Sequence, residues 1–330
     1  MSTHVLGIDI GGTKVAVCLA NEQGEVLGSG RIPMQGEYTE VFPKIAGLVE
    51  NLLGEAGLAR GDVAACGICA PGPLDLKNGL LLRSPNMHWD KVPIRDDLAR
   101  ELGMPVALEN DANAGVLAEW FFGSGKGKRD VIYLTMSTGV GSGIVSGGHL
   151  ITGTTGNAGE LGHVVLNPEG PVCGCGLRGC LEAYCGGRSL KLRMQDILRF
   201  RPDHAILRLP EVAGDLEKLG FPALIAGCKA KIPLALEMMD EIAFRLAQGI
   251  GVALAAFNPE LITLGTTAYY AGDLMLKPLM YYLPRFTWSE EFSDHCAIEL
   301  SGLGLRIGEL AGASVAFNTL YERGKWTPAR

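Results

Sequence analysis

Short apolar runs and longer periodic stretches alternate along the chain. Val5–Ile10 and Val15–Leu19 are apolar runs bounded by glycine, which predicts buried strands. Gly11-Gly12-Thr13-Lys14 joins them as a hairpin turn. Between Tyr38 and Gly57 the period changes to that of a helix, with Val41, Ile45, Leu48, Val49 and Leu52 on one face. Val63–Ile68 predicts a buried strand that runs into the stiff loop Ala70-Pro71-Gly72-Pro73. A short helix over Pro93–Leu102, a strand over Val106–Leu108 and a helix over Ala112–Phe122 follow, with Glu109-Asn110-Asp111 at the last junction.

The next stretch repeats the opening theme. Val131–Thr135 predicts a strand, Ser137–Gly143 a glycine-rich turn, and Ile144–Ser146 a continuing strand. Beyond it, Gly187–Phe200 predicts a basic helix and Pro233–Phe257 a long apolar helix stopped at Asn258-Pro259. Leu261–Leu264 predicts a buried strand that leads into Gly265-Thr266-Thr267, Ala297–Leu300 a last strand, and Ile307–Leu320 a last helix. Arg201–Lys231 shows no clear period. Each half thus opens with strand, Gly/Thr turn and strand. This predicts an α/β fold of two similar lobes, each offering a phosphate-binding hairpin to a cleft, with a hinge near residue 111.

Composition narrows the function. A chain of 330 residues has room for two lobes, and its net charge of −7 argues against nucleic acid as the main partner. An anionic nucleotide remains compatible with that charge, through backbone N–H groups and Mg²⁺. Met1–His4 leads straight into the first strand without a targeting pattern, and Ile250–Phe257 is too short to span a bilayer. The expectation is a cytoplasmic protein without membrane contact. In that compartment nine cysteines do not read as a disulfide framework.

The densest chemistry lies between Glu160 and Glu182. Cys173, Cys175 and Cys180 form a C-x-C-x4-C pattern with His163 ten residues upstream. Cys3His is a common closed set for structural Zn²⁺, and Gly174, Gly176 and Gly179 supply the backbone freedom of a tight loop. Unrelated buried thiols are the other reading, and Cys18, Cys66, Cys69, Cys185, Cys228 and Cys296 are taken as buried and inert. A zinc site does not need Glu160 or Glu182. Carboxylates at both ends of a rigid loop suit a polyol, and metal-bound His163 would offer its second ring nitrogen as a fixed donor. Near the N-terminus, Thr13 and Lys14 can donate to a phosphate and Asp9 can hold hydrated Mg²⁺. Asp111 and Asn110, at a strand end and helix start, read either as a plain N-cap or as a general base with a substrate contact.

Taken together, these motifs resemble the ROK family of sugar kinases and related repressors, over nearly the whole chain. The residues are Asp9–Lys14, Pro71-Gly72-Pro73, Glu109-Asn110-Asp111, Ser137–Gly143, Glu160-Leu161-Gly162-His163 and Cys173–Glu182. The resemblance implies a two-lobed actin-like ATPase (ribonuclease H-like) fold: residues 1–110 with 307–330 as the small lobe and 111–306 as the large one. It implies Asp111 as general base, with Gly72, Asn110, Asp111, Glu160, His163 and Glu182 on the sugar. ATP and Mg²⁺ would lie on Asp9, Gly11, Gly12, Thr13, Lys14, Thr138, Gly139 and Gly141, with Gly265 and Thr266 on the adenine side. Zn²⁺ would lie on His163, Cys173, Cys175 and Cys180, in a homodimer. The expected reaction is ATP-dependent phosphorylation of a hexose, foremost glucose at its 6-hydroxyl. An N-acetylhexosamine kinase is the alternative, and a non-catalytic sugar sensor or a zinc scaffold stands further off. Two departures stand out. Gly265-Thr266 replaces the Gly-Gly frequent in the family's kinases, and no room precedes Val5 for a repressor's DNA-binding domain.

Overall fold

The computed structural model describes residues 3–82, 89–289 and 295–328. They form two compact units, Met1–Arg129 with Gly143–Ala158 and Gly302–Arg330, and Asp130–Ser142 with Gly159–Ser301. Among the described residues no helix is long and apolar enough to cross a membrane.

The first unit is built on the sheet β3-β2-β1-β4-β7. Its strands are β1 (His4–Ile10), β2 (Lys14–Asn21), β3 (Val26–Pro33), β4 (Val63–Ala70) and β7 (Val106–Asn110), with the small ribbon β5 (Leu74–Asp75) and β6 (Leu80–Leu81) apart. β1, β2 and β3 meander antiparallel, while β4 and β7 run parallel to β1. The predicted hairpin is therefore present, and α1 (Tyr38–Ala56) follows it. Gly57 in the left-handed region (φ 67°) ends α1. Helices α2 (Ile94–Leu102) and α3 (Asp111–Phe122) come next.

β3 was not foreseen. Its sequence, VLGSGRIP, puts Gly28 and Gly30 beneath α1, where a Cβ on Gly30 would meet Leu48 Cδ1 at 2.5 Å. Those two positions carry no side chain, so the apolar alternation of a strand is missing. The same need for space recurs on the other face. A Cβ on Gly7 or Gly67 would run into the backbone of the last helix, α10 (Ile307–Glu322), which packs on β1 and β4.

The second sheet has the order β10-β9-β8-β11-β12, the first sheet's plan repeated. Its strands are β8 (Val131–Met136), β9 (Val140–Ser146), β10 (His149–Leu150), β11 (Leu261–Thr266) and β12 (Ala297–Leu300). β8, β11 and β12 are parallel. The duplication read from two glycine turns is thus a duplication of sheet topology. Helices α4 (Leu181–Cys185), α5 (Gly187–Leu198), α6 (Phe221–Lys229) and α7 (Pro233–Phe257) precede β11, and α8 (Thr267–Ala271) and α9 (Asp273–Tyr282) follow it. α7 has the predicted bounds. Pro233 opens it, where a missing N–H costs nothing, and Asn258 at φ 45° ends it. In the stretch that showed no period, α6 is short and is preceded by two single turns, Ala205–Arg208 and Leu216–Lys218.

Candidate functional site

In the first unit, chemistry collects at the carboxyl ends of the three parallel strands. Register sets Asp9 opposite Cys69 and Cys69 opposite Glu109, while Ala70 pairs with Asn110. The buried Cys69 thiol donates to Asp9 Oδ1 at 3.5 Å. Burial pushes the Asp9 carboxyl above its ordinary value, and the charge of Asp111 adds to that, while Cys69, Lys14 and Arg31 pull the other way. Asp9 and Asp111, far apart in sequence, therefore feel each other's charge. Arg31 escaped sequence reading because its strand, β3, did.

Asn110 and Asp111 divide the two roles that sequence posed as alternatives. Asn110 is the N-cap of α3, its side-chain oxygen accepting from Asn113 N at 2.7 Å. That frees the Asp111 carboxylate, which accepts from the neighbouring Ala112 N at 2.9 Å. Asp111 keeps an open face to solvent. Protein crowded around it still withdraws water, and this desolvation raises its pKa. An accessible carboxylate with a raised pKa suits proton abstraction.

The glycine turn Gly11–Thr13 closes with Gly11 N donating to Lys14 O at 2.9 Å, and Thr13 and Lys14 are exposed on it. Gly72 lies in the loop after β4, where the Gly72–Pro73 peptide is cis.

In the second unit the four foreseen ligands converge. One ligand atom from each of His163, Cys173, Cys175 and Cys180 lies within 4.8 Å of every other. His163 Nδ1 is 3.7 Å from Cys173 Sγ, and Cys175 Sγ is 3.8 Å from Cys180 Sγ. A tetrahedron with metal–sulfur bonds of about 2.3 Å has edges of roughly 3.8 Å. A disulfide would need about 2.05 Å, and all nine cysteines are free thiols. The donor set and its spacing thus fit one tetrahedral cation. Gly176 (φ 92°) and Gly179 (φ 69°) take the left-handed conformations foreseen for the loop, whereas Gly174 does not.

Glu182 ties this loop to the second glycine turn. Its Oε1 accepts from the Cys173 thiol at 3.5 Å and its Oε2 from Val140 N at 2.9 Å. A Cβ on Gly139 would collide with Oε2, so Gly139 is bare to admit a carboxylate. Thr138 O accepts from Arg188 N at 2.9 Å. Gly141 lies within β9. Glu160 is exposed at the head of the turn Leu161–His163, where its carbonyl accepts from His163 N at 3.0 Å. The structure therefore links Gly139, Val140, Glu182, Cys173 and His163 in one chain of contacts.

Gly265 and Thr266 end β11 beside β8. Thr266 sits at φ 50° and ψ −114°, a region that disfavours a β-branched residue. Its hydroxyl accepts from Met136 N at 2.8 Å, donates to Met136 O, and lies 3.2 Å from Thr135 Oγ1. Oγ1 therefore clamps the ends of β8 and β11. Nearby, a cavity of about 500 Å³ is lined by Phe221, Pro222, Ile225, Lys229, Thr267 and Tyr270. Of these residues, sequence reading singled out Thr267 alone, in Gly265-Thr266-Thr267. Four belong to α6, in the stretch that showed no period.

Comparison with known proteins extends the picture. The ROK family model matches residues 5–318. A glucokinase of Thermotoga maritima is 34% identical over 308 residues, 91% of this chain and 94% of that one. The crystal structure of a ROK hexokinase from Thermus thermophilus has a TM-score of 0.83 at 32% identity, covering 97% of this chain and 100% of its own. That of a ROK family glucokinase from Streptomyces griseus, in complex with glucose and AMPPNP, has a TM-score of 0.77 at 31% identity, covering 95% and 99%. The expected fold, mixed α/β with two sheets on an actin-like plan, is the one found.

Proposed function

The chain belongs to the ROK family, and we propose that it is an ATP-dependent hexose kinase acting foremost on the 6-hydroxyl of glucose. The observation that carries this reading is Asp111, an accessible carboxylate of raised pKa freed by Asn110 from capping α3. The likeness to a glucokinase seen with glucose and AMPPNP supports the choice of substrates.

In this reading Asp111 accepts the proton of the sugar hydroxyl as it attacks the γ-phosphoryl. Gly72, Asn110, Glu160, His163 and Glu182 orient the sugar. His163 would hold the metal through Nδ1, the nitrogen that lies 3.7 Å from Cys173 Sγ, which would leave its other nitrogen protonated as a donor. Gly11, Gly12, Thr13, Lys14, Thr138, Gly139 and Gly141 hold the phosphates, and Gly265 and Thr266 shape the adenine side through the clamp on β8. The cavity walled by Phe221, Ile225 and Tyr270 offers apolar faces for a purine. Asp9 would hold Mg²⁺, which when bound would supply positive charge to offset the negative charge that develops in transfer. Zn²⁺ on His163, Cys173, Cys175 and Cys180 would be structural, since protein fills all four positions.

The test is a coupled ADP-release assay with MgATP over glucose, mannose, fructose, allose, N-acetylglucosamine and N-acetylmannosamine. Strong turnover of glucose is expected. Turnover confined to an acetylated sugar moves the assignment to that sugar with the same residues. Silence across the panel, with one zinc per chain shown to be present, overturns the activity.

A further inference from the structure

A cation held by one segment fixes that segment to itself. His163, Cys173, Cys175 and Cys180 all fall between residues 163 and 180, so a metal there would set the inner shape of the loop but not its place in the second unit. Glu182 supplies one tether, at Val140 N. The long helix α7 supplies a second, which has no part in the mechanism above.

Arg245 and Gln248, three residues apart on α7, share a face. Gln248 Nε2 donates to Leu166 O at 3.3 Å, and its Oε1 accepts from Arg245 Nη1 at 3.1 Å. The Arg245 guanidinium stacks on Tyr184 of α4, with Cζ 4.4 Å from the ring centroid. Arg245 Nε is buried without an acceptor among the described residues, a cost that the aromatic face offsets.

Tyr184 passes the contact on. Its hydroxyl accepts from Asn167 Nδ2 at 3.4 Å, and a Cβ on Gly170 would stand 2.2 Å from that oxygen, so Gly170 is bare to admit the ring. Leu166 and Asn167 in turn cross the loop. Both donate a backbone N–H to Gly179 O, at 2.8 and 3.3 Å, next to Cys180. α7 therefore grips the loop at Leu166 and Asn167, between His163 and Cys173, and neither gripped residue belongs to the ligand set.

We propose that Arg245 and Gln248 are positioning residues for the sugar site: through Leu166 and Asn167 they set where His163 stands, while the metal sets how the four ligands face one another. This rests on the reading of His163 as a sugar contact.

Gln248→Glu and Arg245→Lys, made in the full chain with zinc retained, test it. The first keeps an acceptor for Arg245 and loses the donor to Leu166 O. The second keeps the charge and loses the planar stack on Tyr184. Circular dichroism checks that both variants fold. Hydrogen exchange read by mass spectrometry should quicken about tenfold over residues 164–170 in each variant, with one zinc per chain kept. The KM for glucose should rise about 3- to 10-fold and kcat should stay within about twofold, the size expected for one lost hydrogen bond. A packing role alone would lower the melting temperature and leave both the exchange and the KM as they are. Unchanged exchange in both folded variants, or faster exchange with an unchanged KM, overturns the proposal. Loss of zinc overturns it too, because α7 would then hold the ligands themselves. The kinase reading fails separately, if the unaltered chain turns over no sugar. Glucose affinity by equilibrium dialysis then takes the place of KM with the same two outcomes, and absence of glucose binding overturns both readings.

Discussion

The strand-end acids of the first unit and the cysteine loop of the second are assembled in opposite ways. Asp9, Cys69 and Glu109 come from three strands far apart in sequence and meet only because β1, β4 and β7 lie side by side in register. His163, Cys173, Cys175 and Cys180 come from one short segment whose loop brings the ligand atoms within 4.8 Å of one another. The first arrangement depends on a sheet and on the helix packed behind it. The second depends on a metal and a few glycine conformations. The first should resist loss of the metal, and the second should not.

The largest effect is expected where the loop is cut. Cys180→Ser, in a thiol with 0% exposure, should lower metal content from one zinc per chain to near none by elemental analysis. Apparent binding energies of about 10–16 kcal/mol in small zinc peptides show how much of such a loop the metal holds. Sugar binding should fail with it, because His163 loses its anchor. A variant that keeps zinc would remove Cys180 from the ligand set. Asp111→Asn attacks the other region. It should lower kcat by about 10²–10⁴-fold while glucose still binds in a calorimetric titration, and near-normal turnover would end the general-base assignment.

Gly139→Ala joins the comparison from the second glycine turn. Its methyl must displace the Glu182 carboxylate from Val140 N. Losing a charge-assisted bond of about 1.5–3 kcal/mol should raise the KM for sugar roughly 10–100-fold and spare kcat. The smallest effect is in pH. Asp111 must be ionised to act as a base, and its pKa lies above the ordinary 3.8. Activity should therefore fall as pH drops through that raised value, with the acid limb of kcat/KM above 3.8. A limb at or below 3.8 would mean that the site is more hydrated than its surroundings imply.

Reading the two regions from sequence alone succeeds to different degrees. The ligand spacing, the glycines and both glutamates of the cysteine loop are local, and their convergence follows the pattern C-x-C-x4-C. What remained hidden there was the second job of Glu182, its bond to Val140 N from 42 residues away. At the strand ends, Asp9 and Asp111 stood out beside glycine and at a helix start. Cys69, read as inert, turned out to be a donor to Asp9, and Arg31 was lost with a strand whose two central half-buried positions are glycine. The lining of the second unit's apolar cavity was hidden for a related reason, since α6 has only nine residues and two short turns blur its period.

Periodicity, turn chemistry and ligand spacing are properties of neighbours in the chain, and they determined β1, β2, α1, α7 and the convergence of His163 with three cysteines. The repeated sheet order suggested by two glycine turns belongs with them in kind, though only strand pairing made it definite. Tertiary structure alone decided which acids share a strand end and why Gly7, Gly30 and Gly67 carry no side chain. Each of these depends on distances between segments that are remote in sequence. Burial and charge act through those distances, and no local pattern encodes them.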